Sequence, residues 1–415
     1  MSAPEALEPR PAPKTNTLIH DILSGSALRT TLAIVLGFFV GSLFMIFSNE
    51  DVLSTLGYLF AQPTDFFQAA GAVVASGAEA ITRGAIYNPN APDFATGIRP
   101  FTESLRLAAP LIAAGLGIAL GFRVGLFNIG GTGQLMFGAV WAAWVSFRLP
   151  LPIVLHLSVA IVVGVLAAAL WGSVAGYLKA KTGAHEVIVT IMMNYIALNL
   201  VTWMMRNPSI LQDPTVGGAP KTLAPDVTAQ MPLLLGPGYA LHLGFLIVVG
   251  ATVFYWWLME RSVLGFKLRM VGHNPSAART AGIKIENIYV LTMALSAGFV
   301  GLAAVNQSLG RDAGFTPSLH GGIGFDAITV ALLGGGSAWG VFFAGILFGA
   351  FKASGPAMQV AGISPEVLSI VQGSIVLFIA APPLIRAIFR LPSANGSQRT
   401  TKPAPAIKKK KGAQS

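Results

Sequence analysis

Two short polar runs interrupt long apolar stretches, and both carry donors and acceptors able to hold a small polar solute. The first is Phe127-Asn128-Ile129-Gly130-Gly131-Thr132-Gly133-Gln134, with glycine at three of the four positions 130–133. Glycine at that density disfavours a regular helix. A chain break here would free backbone groups beside Asn128, Thr132 and Gln134, as discontinuous helices do in transporters. The plainer alternative is a tight turn at the membrane face whose Asn128 and Gln134 bond neighbouring helices, worth about 0.6 kcal/mol each. Both readings stay open at this point. The second run, 185–195, places Glu186, Thr190 and Asn194 at four-residue spacing, on one helix face. Glu186 falls in the first turn, where the macrodipole favours its charge, so a structural role accounts for it. Asn194 and Tyr195 lie deeper in the apolar run and are stronger pathway candidates. Asp326 also sits in an N-terminal turn and is read as structural.

Other chemistries find no residues. No GxxxxGK[ST] pattern occurs, and Gly334-Gly335-Gly336 lacks the following lysine of a phosphate-binding loop. His185-Glu186 opens like a zinc-protease helix, but Val189 stands where the second histidine must be. The six histidines are scattered, and neither Ser337 nor Ser354 lies in a GxSxG elbow. With no cysteine, disulfides and thiolate metal sites are excluded. The expectation is no catalytic residue, no metal and no cofactor in this chain.

The elements that must position these runs follow from composition. Hydrophobic residues make up 53% of the chain and charged ones 11%, against roughly 25% charged in a soluble domain. So few charges cannot coat 415 residues in water, and the solvent is lipid. The fold class is an all-α integral membrane protein. Crossing takes about 20 apolar residues, which 32–47, 103–122, 126–147, 152–178, 187–205, 241–259 and 288–309 approach or exceed. The last apolar region breaks at Gly334-Gly335-Gly336 into 322–333, 338–353 and 366–381. That predicts about ten transmembrane helices. The stretch 52–101 is too polar to span and reads as amphipathic helices on the outer face. Glycine rows at Gly117/Gly121/Gly125, Gly172/Gly176 and Gly345/Gly349 suit close helix packing and nothing more.

The net charge of +10 records orientation. With ten helices and the N-terminus inside, one face receives Arg10, Lys14, Arg29, Arg123, Lys179, Lys181, Arg261, Lys267, Arg269, Arg279 and Lys284. The same face receives Arg386, Arg390, Arg399, Lys402 and Lys408 to Lys411, making 19 of the 27 basic residues. Nine helices would export the terminal lysine run, so ten is preferred and both termini are cytoplasmic. The domains are a polar tail 1–29, a transmembrane domain 30–391 and a basic tail 392–415. That tail is drawn to anionic lipid at about 1 kcal/mol per basic residue, and nucleic acid is not expected as a partner. The longest internal loop, 260–287, contains Gly272-His273-Asn274-Pro275-Ser276-Ala277-Ala278-Arg279-Thr280-Ala281-Gly282. Asn274 is a good N-cap, Pro275 suits the first helical position, and Gly282 the residue past the end. The spacing predicts a short helix of small residues, either gripped by a soluble partner or lying on its own bundle.

These segments together resemble the inner-membrane permeases of ABC importers for simple sugars, branched-chain amino acids and nucleosides. The nearest resemblance is to nucleoside permeases, whose FNIGAEGQ-like, NEVISTIMLNYIA-like and G-x-NP-x-AA-x-x-x-GI segments match 127–134, 185–197 and 272–283. A GGIDLS-type segment of the sugar relatives is absent. Thr132 stands where the family usually has Glu, and His185 where it has Asn. The resemblance implies a type II ABC importer-like permease in the bacterial cytoplasmic (inner) membrane. It further implies a second homologous permease, cytoplasmic ATPases that hold ATP-Mg and grip Gly272, Asn274, Pro275, Ala277, Ala278 and Gly282, and an extracytoplasmic substrate-binding lipoprotein. The expected substrate path is Phe127, Asn128, Thr132, Gln134, Thr190, Asn194 and Tyr195.

Overall fold

A computed structural model describes residues 26–389, so the two tails, with Lys408 to Lys411, lie almost wholly outside the described residues. Among the described residues the chain is helical, with only two isolated bridges, Gln212 to Thr222 and Leu233 to His242. The order begins α1 (Ser26–Ser48), α2 (Glu50–Thr55), α3 (Pro63–Ala85), α4 (Phe94–Gly97) and α5 (Arg99–Arg123). It continues through α6 (Gly131–Arg148), α7 (Ile153–Thr182), α8 (Glu186–Met205), α9 (Gly244–Arg261), α10 (Val263–His273) and α11 (Pro275–Thr280). It closes with α12 (Ile285–Leu309), α13 (Ile323–Leu333), α14 (Ala338–Val360), α15 (Glu366–Ala380) and α16 (Pro382–Phe389).

Six of these helices or runs are long and apolar enough to cross a membrane, and two bent pairs raise the number to eight at most. The count of ten included α6 and α13. With 11 residues, α13 rises only about 16 Å, half of the roughly 30 Å hydrocarbon layer. The start of α6 at Gly131 is set back from the end of α5 by an irregular stretch. That leaves α6 with 18 residues that include Gln134 and Arg148, so α13 falls short in length and α6 in apolarity.

Small residues set the packing. α12 and α7 make the most extensive helix pair, with α5 against α12 and α14 next. A Cβ on Gly176 would lie 2.8 Å from Tyr289 O, and one on Gly349 2.6 Å from Ala108 N, so these backbones nearly touch. The row at 117–125 ends differently: Gly125 has left α5 and takes φ +75°, which only glycine adopts without strain. The polar stretch 52–101 condenses chiefly into one 23-residue helix, α3. Its buried Ala70, Gly77 and Ala80 face the bundle, with Gly77 against Met45 and Ile363.

The loop 260–287 is more helical than its charges suggest. Ser262 ends α9 and caps α10: its Oγ donates to Leu258 O at 2.6 Å and accepts from Gly265 N at 2.8 Å. The chain thereby turns through 69° between the two helices. Arg123 pairs with Glu260, and Arg269 reaches the same carboxylate at 3.7 Å, joining the ends of α5, α9 and α10. We call this the basic end. At the opposite end, Met231 N bonds Leu309 O at 2.9 Å and Thr222 N bonds Phe315 O at 3.0 Å, holding the loop 206–243 across the bundle.

Candidate functional site

The first polar run divides: Phe127–Gly130 lies in an irregular stretch inside the bundle, whereas Gly131–Gln134, expected to break, forms the first turn of α6. After α5 the chain turns at Gly125 and runs irregularly to Gly130, where α6 begins. Its partners fix its depth. Ile129 O accepts from Asn194 Nδ2 at 2.9 Å, and Asn194 lies eight residues, about 12 Å, into α8. Asn128 Nδ2 donates to Ser296 Oγ at 2.8 Å, and Ser296 is near the middle of α12.

Asn128 and Gln134 are buried and face each other. Asn128 Nδ2 donates to Gln134 Oε1 at 3.0 Å, and Gln134 Nε2 donates back to Asn128 Oδ1 at 3.0 Å. Asn128 Oδ1 also accepts from Gly130 N at 3.0 Å, and Ser296 Oγ donates onward to Gly117 O at 2.7 Å. With two donors and two acceptor sites, the Asn128 amide has nothing left for a solute. Asn194 completes the joint, its Oδ1 accepting from Gly133 N at 2.8 Å. Thr190 is buried, with Oγ1 donating to Glu186 O at 2.8 Å. Glu186 pairs with Lys179 at 2.6 Å. Three residues of the two runs remain open: Phe127 (52% exposed), Tyr195 (60%) and, in part, Thr132. Ser296 was missed because one hydroxyl in an apolar run leaves no local pattern.

A second break meets the first. Beyond α12 the segment 310–322 includes a 3-10 turn, Pro317–His320, that packs on α6 and α8. It reaches α13 through Gly321 and Gly322, at φ +49° and +74°. α13 then runs to the basic end, where Tyr255 Oη donates to Gly336 O at 3.0 Å. Gly324, in the first turn of α13, packs on the backbone that opens α6: a Cβ there would collide with Thr132 N and Oγ1, and one on Gly131 would lie 3.2 Å from Gly324 Cα. Two helix N-termini, each carrying partial positive charge, thus converge inside the bundle. Such a joint suits the electronegative groups of a polar solute.

This division of labour makes a prediction. Asn128→Ala leaves buried partners unpaired, at about 1–3 kcal/mol for each stranded group, and should lower the thermal midpoint of the detergent-solubilised protein. Tyr195→Ala should keep that midpoint and weaken solute affinity instead. If both variants lose stability equally, the split between frame and contact residues fails.

At the basic end, α11 is built as its spacing predicts: Asn274 Oδ1 accepts from Ala277 N at 3.1 Å, Pro275 follows, and Gly282 takes φ +82°. One detail differs. Ala278 is wholly buried, and so faces the bundle rather than any partner. Gly272 likewise packs inward, since a Cβ there would lie 3.0 Å from Val124 Cα. The outward residues are Pro275, Ser276, Ala277, Arg279 and Thr280. Beside them lies a cavity of about 460 Å³ lined by Lys179, Ser276, Arg279 and Tyr289, with Arg279 paired to Glu286 at 3.1 Å. At the opposite end a cavity of about 570 Å³ is lined by Glu103, Arg106, Gln230, Tyr239, Arg311 and Asp312. Burial lowers the Arg311 pKa. Among the described residues, no three His, Asp or Glu side chains are grouped to hold a metal ion.

Comparison with known proteins agrees with this architecture. Residues 101–380 match the family described as branched-chain amino acid transport system / permease component. The guanosine ABC transporter permease protein NupP of Bacillus subtilis (strain 168) is 37% identical over 290 residues, 69% of this chain and 82% of its own. The nucleoside ABC transporter permease protein NupB of Lactococcus lactis subsp. cremoris (strain MG1363) is 33% identical, covering 75% of this chain and 86% of its own. The glucose ABC transporter permease protein TsgB13 of Haloferax volcanii is 34% identical, covering 67% and 75%. No solved structure matches the chain. A multi-pass bundle with its family match spanning α5 to α15 is an ABC-importer permease component, and the chain belongs to the branched-chain amino acid transport system / permease component family.

Proposed function

We propose that this permease forms the membrane path of an ATP-driven importer of nucleosides, in the cytoplasmic (inner) membrane of a bacterium. The observation that carries the reading is the joint of α6 and α13, where two chain breaks meet inside the bundle. The relatives named for guanosine and nucleoside transport support the substrate class. A nucleoside offers a flat base for Phe127 and Tyr195, and uncharged oxygens and ring nitrogens for Thr132 and the helix N-termini. Asn128, Gln134, Thr190 and Asn194 hold the frame around that path. A glucose permease among the relatives keeps a simple sugar as the second reading.

The chain crosses the bilayer in ten segments, counting α6 and α13 as broken ones, with both termini cytoplasmic. The basic end then faces the cytoplasm. A second homologous permease completes the path, and an extracytoplasmic lipoprotein delivers substrate to the end bearing Arg106 and Arg311. Two cytoplasmic ATPases holding ATP-Mg grip α11 through Ala277 and its exposed neighbours, while Gly272, Asn274, Ala278 and Gly282 keep it seated. Closure of the ATPases moves α11, and with it the linked ends of α5, α9 and α10, between outward and inward openings. Labelled nucleoside uptake should stop when ATP is depleted with the ion gradients held. Uptake that persists on an ion gradient alone would replace the importer with a secondary transporter.

A further inference from the structure

α14 carries a lysine within an otherwise uncharged helix. Lys352 stands 14 residues after Ala338, about 21 Å along the helix axis, and its side chain leans back toward the helix N-terminus. Its Nζ lies 2.7 Å from Asp326 Oδ2 and donates to Gly321 O at 3.2 Å. Asp326 is in the first turn of α13, whose N-cap, Gly322, offers no side chain to bond the helix start. Both charged side chains are partly open, 30% and 25% exposed, to a cavity of about 290 Å³ lined also by Ser369 and Gln372.

Charges within an apolar helix are expensive, and apolar packing of similar volume is often no worse for stability. The pair therefore needs a reason beyond holding helices together, and its position supplies one. Gly321 and Gly322, both at positive φ, form the hinge between the segment 310–322 and α13. Two residues past the hinge, Gly324 meets the backbone of Thr132. The Lys352 ammonium bonds both sides of the hinge, the Gly321 carbonyl before it and the Asp326 carboxylate after it. Fixing both sides fixes where Gly324 lies against α6. An apolar pair would fill the volume but leave the hinge free.

We infer that Lys352 and Asp326 are positioning residues, whose ion pair clamps the Gly321–Gly322 hinge and sets the closure of the α6–α13 joint. This rests on reading that joint as part of the solute path, but its test is separable from transport. The chain has no cysteine, so Thr132→Cys gives a single thiol at the joint in an otherwise natural background. Labelling of that thiol by a small methanethiosulfonate reagent, in membranes holding the whole transporter, reports how closed the joint is. Lys352→Met should raise the labelling rate about fivefold or more, the low end of coupling between sites in proteins. Lys352→Arg, which keeps the charge and the donors, should stay near the parent rate.

If Lys352→Met strands Asp326 and fails to accumulate, the paired variant Lys352→Met/Asp326→Asn decides, since it leaves no lone charge in the membrane. It should insert at the parent level and still label faster. Parent-like labelling in the paired variant would overturn the clamp, as would Lys352→Arg labelling as fast as Lys352→Met. Should labelling shift as expected while the parent protein moves no nucleoside, the clamp stands and the nucleoside reading falls.

Discussion

Gly324→Ala is expected to cut transport about tenfold or more, a barrier increase of about 1.4 kcal/mol, with a smaller loss of thermal stability. The added methyl group has no rotamer to escape into. It is aimed at Thr132 N and Oγ1, and Gly131 C lies 2.9 Å from where it would sit. Backbone at a helix start cannot give way as a flexible side chain can, so α13 must shift away from α6. Overpacking of this kind costs about 1–3 kcal/mol, and here the displaced element is the joint itself. Gly131→Ala provides the graded control, because its nearest neighbour, Gly324 Cα, is 3.2 Å away. It should give an intermediate defect. Initial uptake rates normalised to protein in the membrane would check this. Full activity in Gly324→Ala would mean that close contact between α6 and α13 is not required for transport.

The second large effect concerns α11. Ala277→Arg is expected to abolish uptake while the protein inserts and melts as the parent does. Ala277 is exposed on a helix whose cap, Asn274, and whose terminal Gly282 need no change to hold a longer side chain. Ala278→Arg should behave oppositely. Its site is sealed among α10, α11 and α12, within the same core cluster as Leu268, Val271 and Ile288. An unpaired guanidinium there strands a charge and overpacks the site, and loss of folded protein should follow. Measuring uptake beside a detergent melting curve for each variant separates the two outcomes. If Ala277→Arg transports normally, α11 is not the element the ATPases grip.

Much of this architecture was legible in the residues, for identifiable reasons. Apolar runs of membrane length mark the main helices, and Asn274-Pro275 with Gly282 marks α11 to within a residue, because caps and starts are local chemistry. The glycines at 130–133 mark the break less well, since the irregular stretch lies at 124–130 and Gly131 and Gly133 stand in the first turn of α6. What depends on distant partners was not legible. Whether Asn128 contacts solute or frame is decided by Ser296, far along the chain, and by the mutual amide pairing with Gln134. Gly324 opens an apolar run like any other until Thr132 is set against it. Lys352 reads as a charge on the outer side, and only the fold brings it to Asp326. Lys267 and Arg269 made α10 look like loop, although Ser262 could have been recognised as its cap. Ala278 looked equivalent to Ala277, since composition does not tell the two sides of a short helix apart. Apolar length and the placement of basic residues do not tell a full crossing from a half-helix such as α13, whose 11 residues reach only part of the way through the bilayer.

The most direct test of the central claim is competition for uptake in cells lacking this chain's gene and restored with it. Labelled guanosine should enter only the restored cells. Excess unlabelled nucleosides should suppress that entry, while ribose, glucose and leucine should not. Entry that is equal in both cells, or that ribose or glucose suppresses and nucleosides do not, would contradict a nucleoside importer.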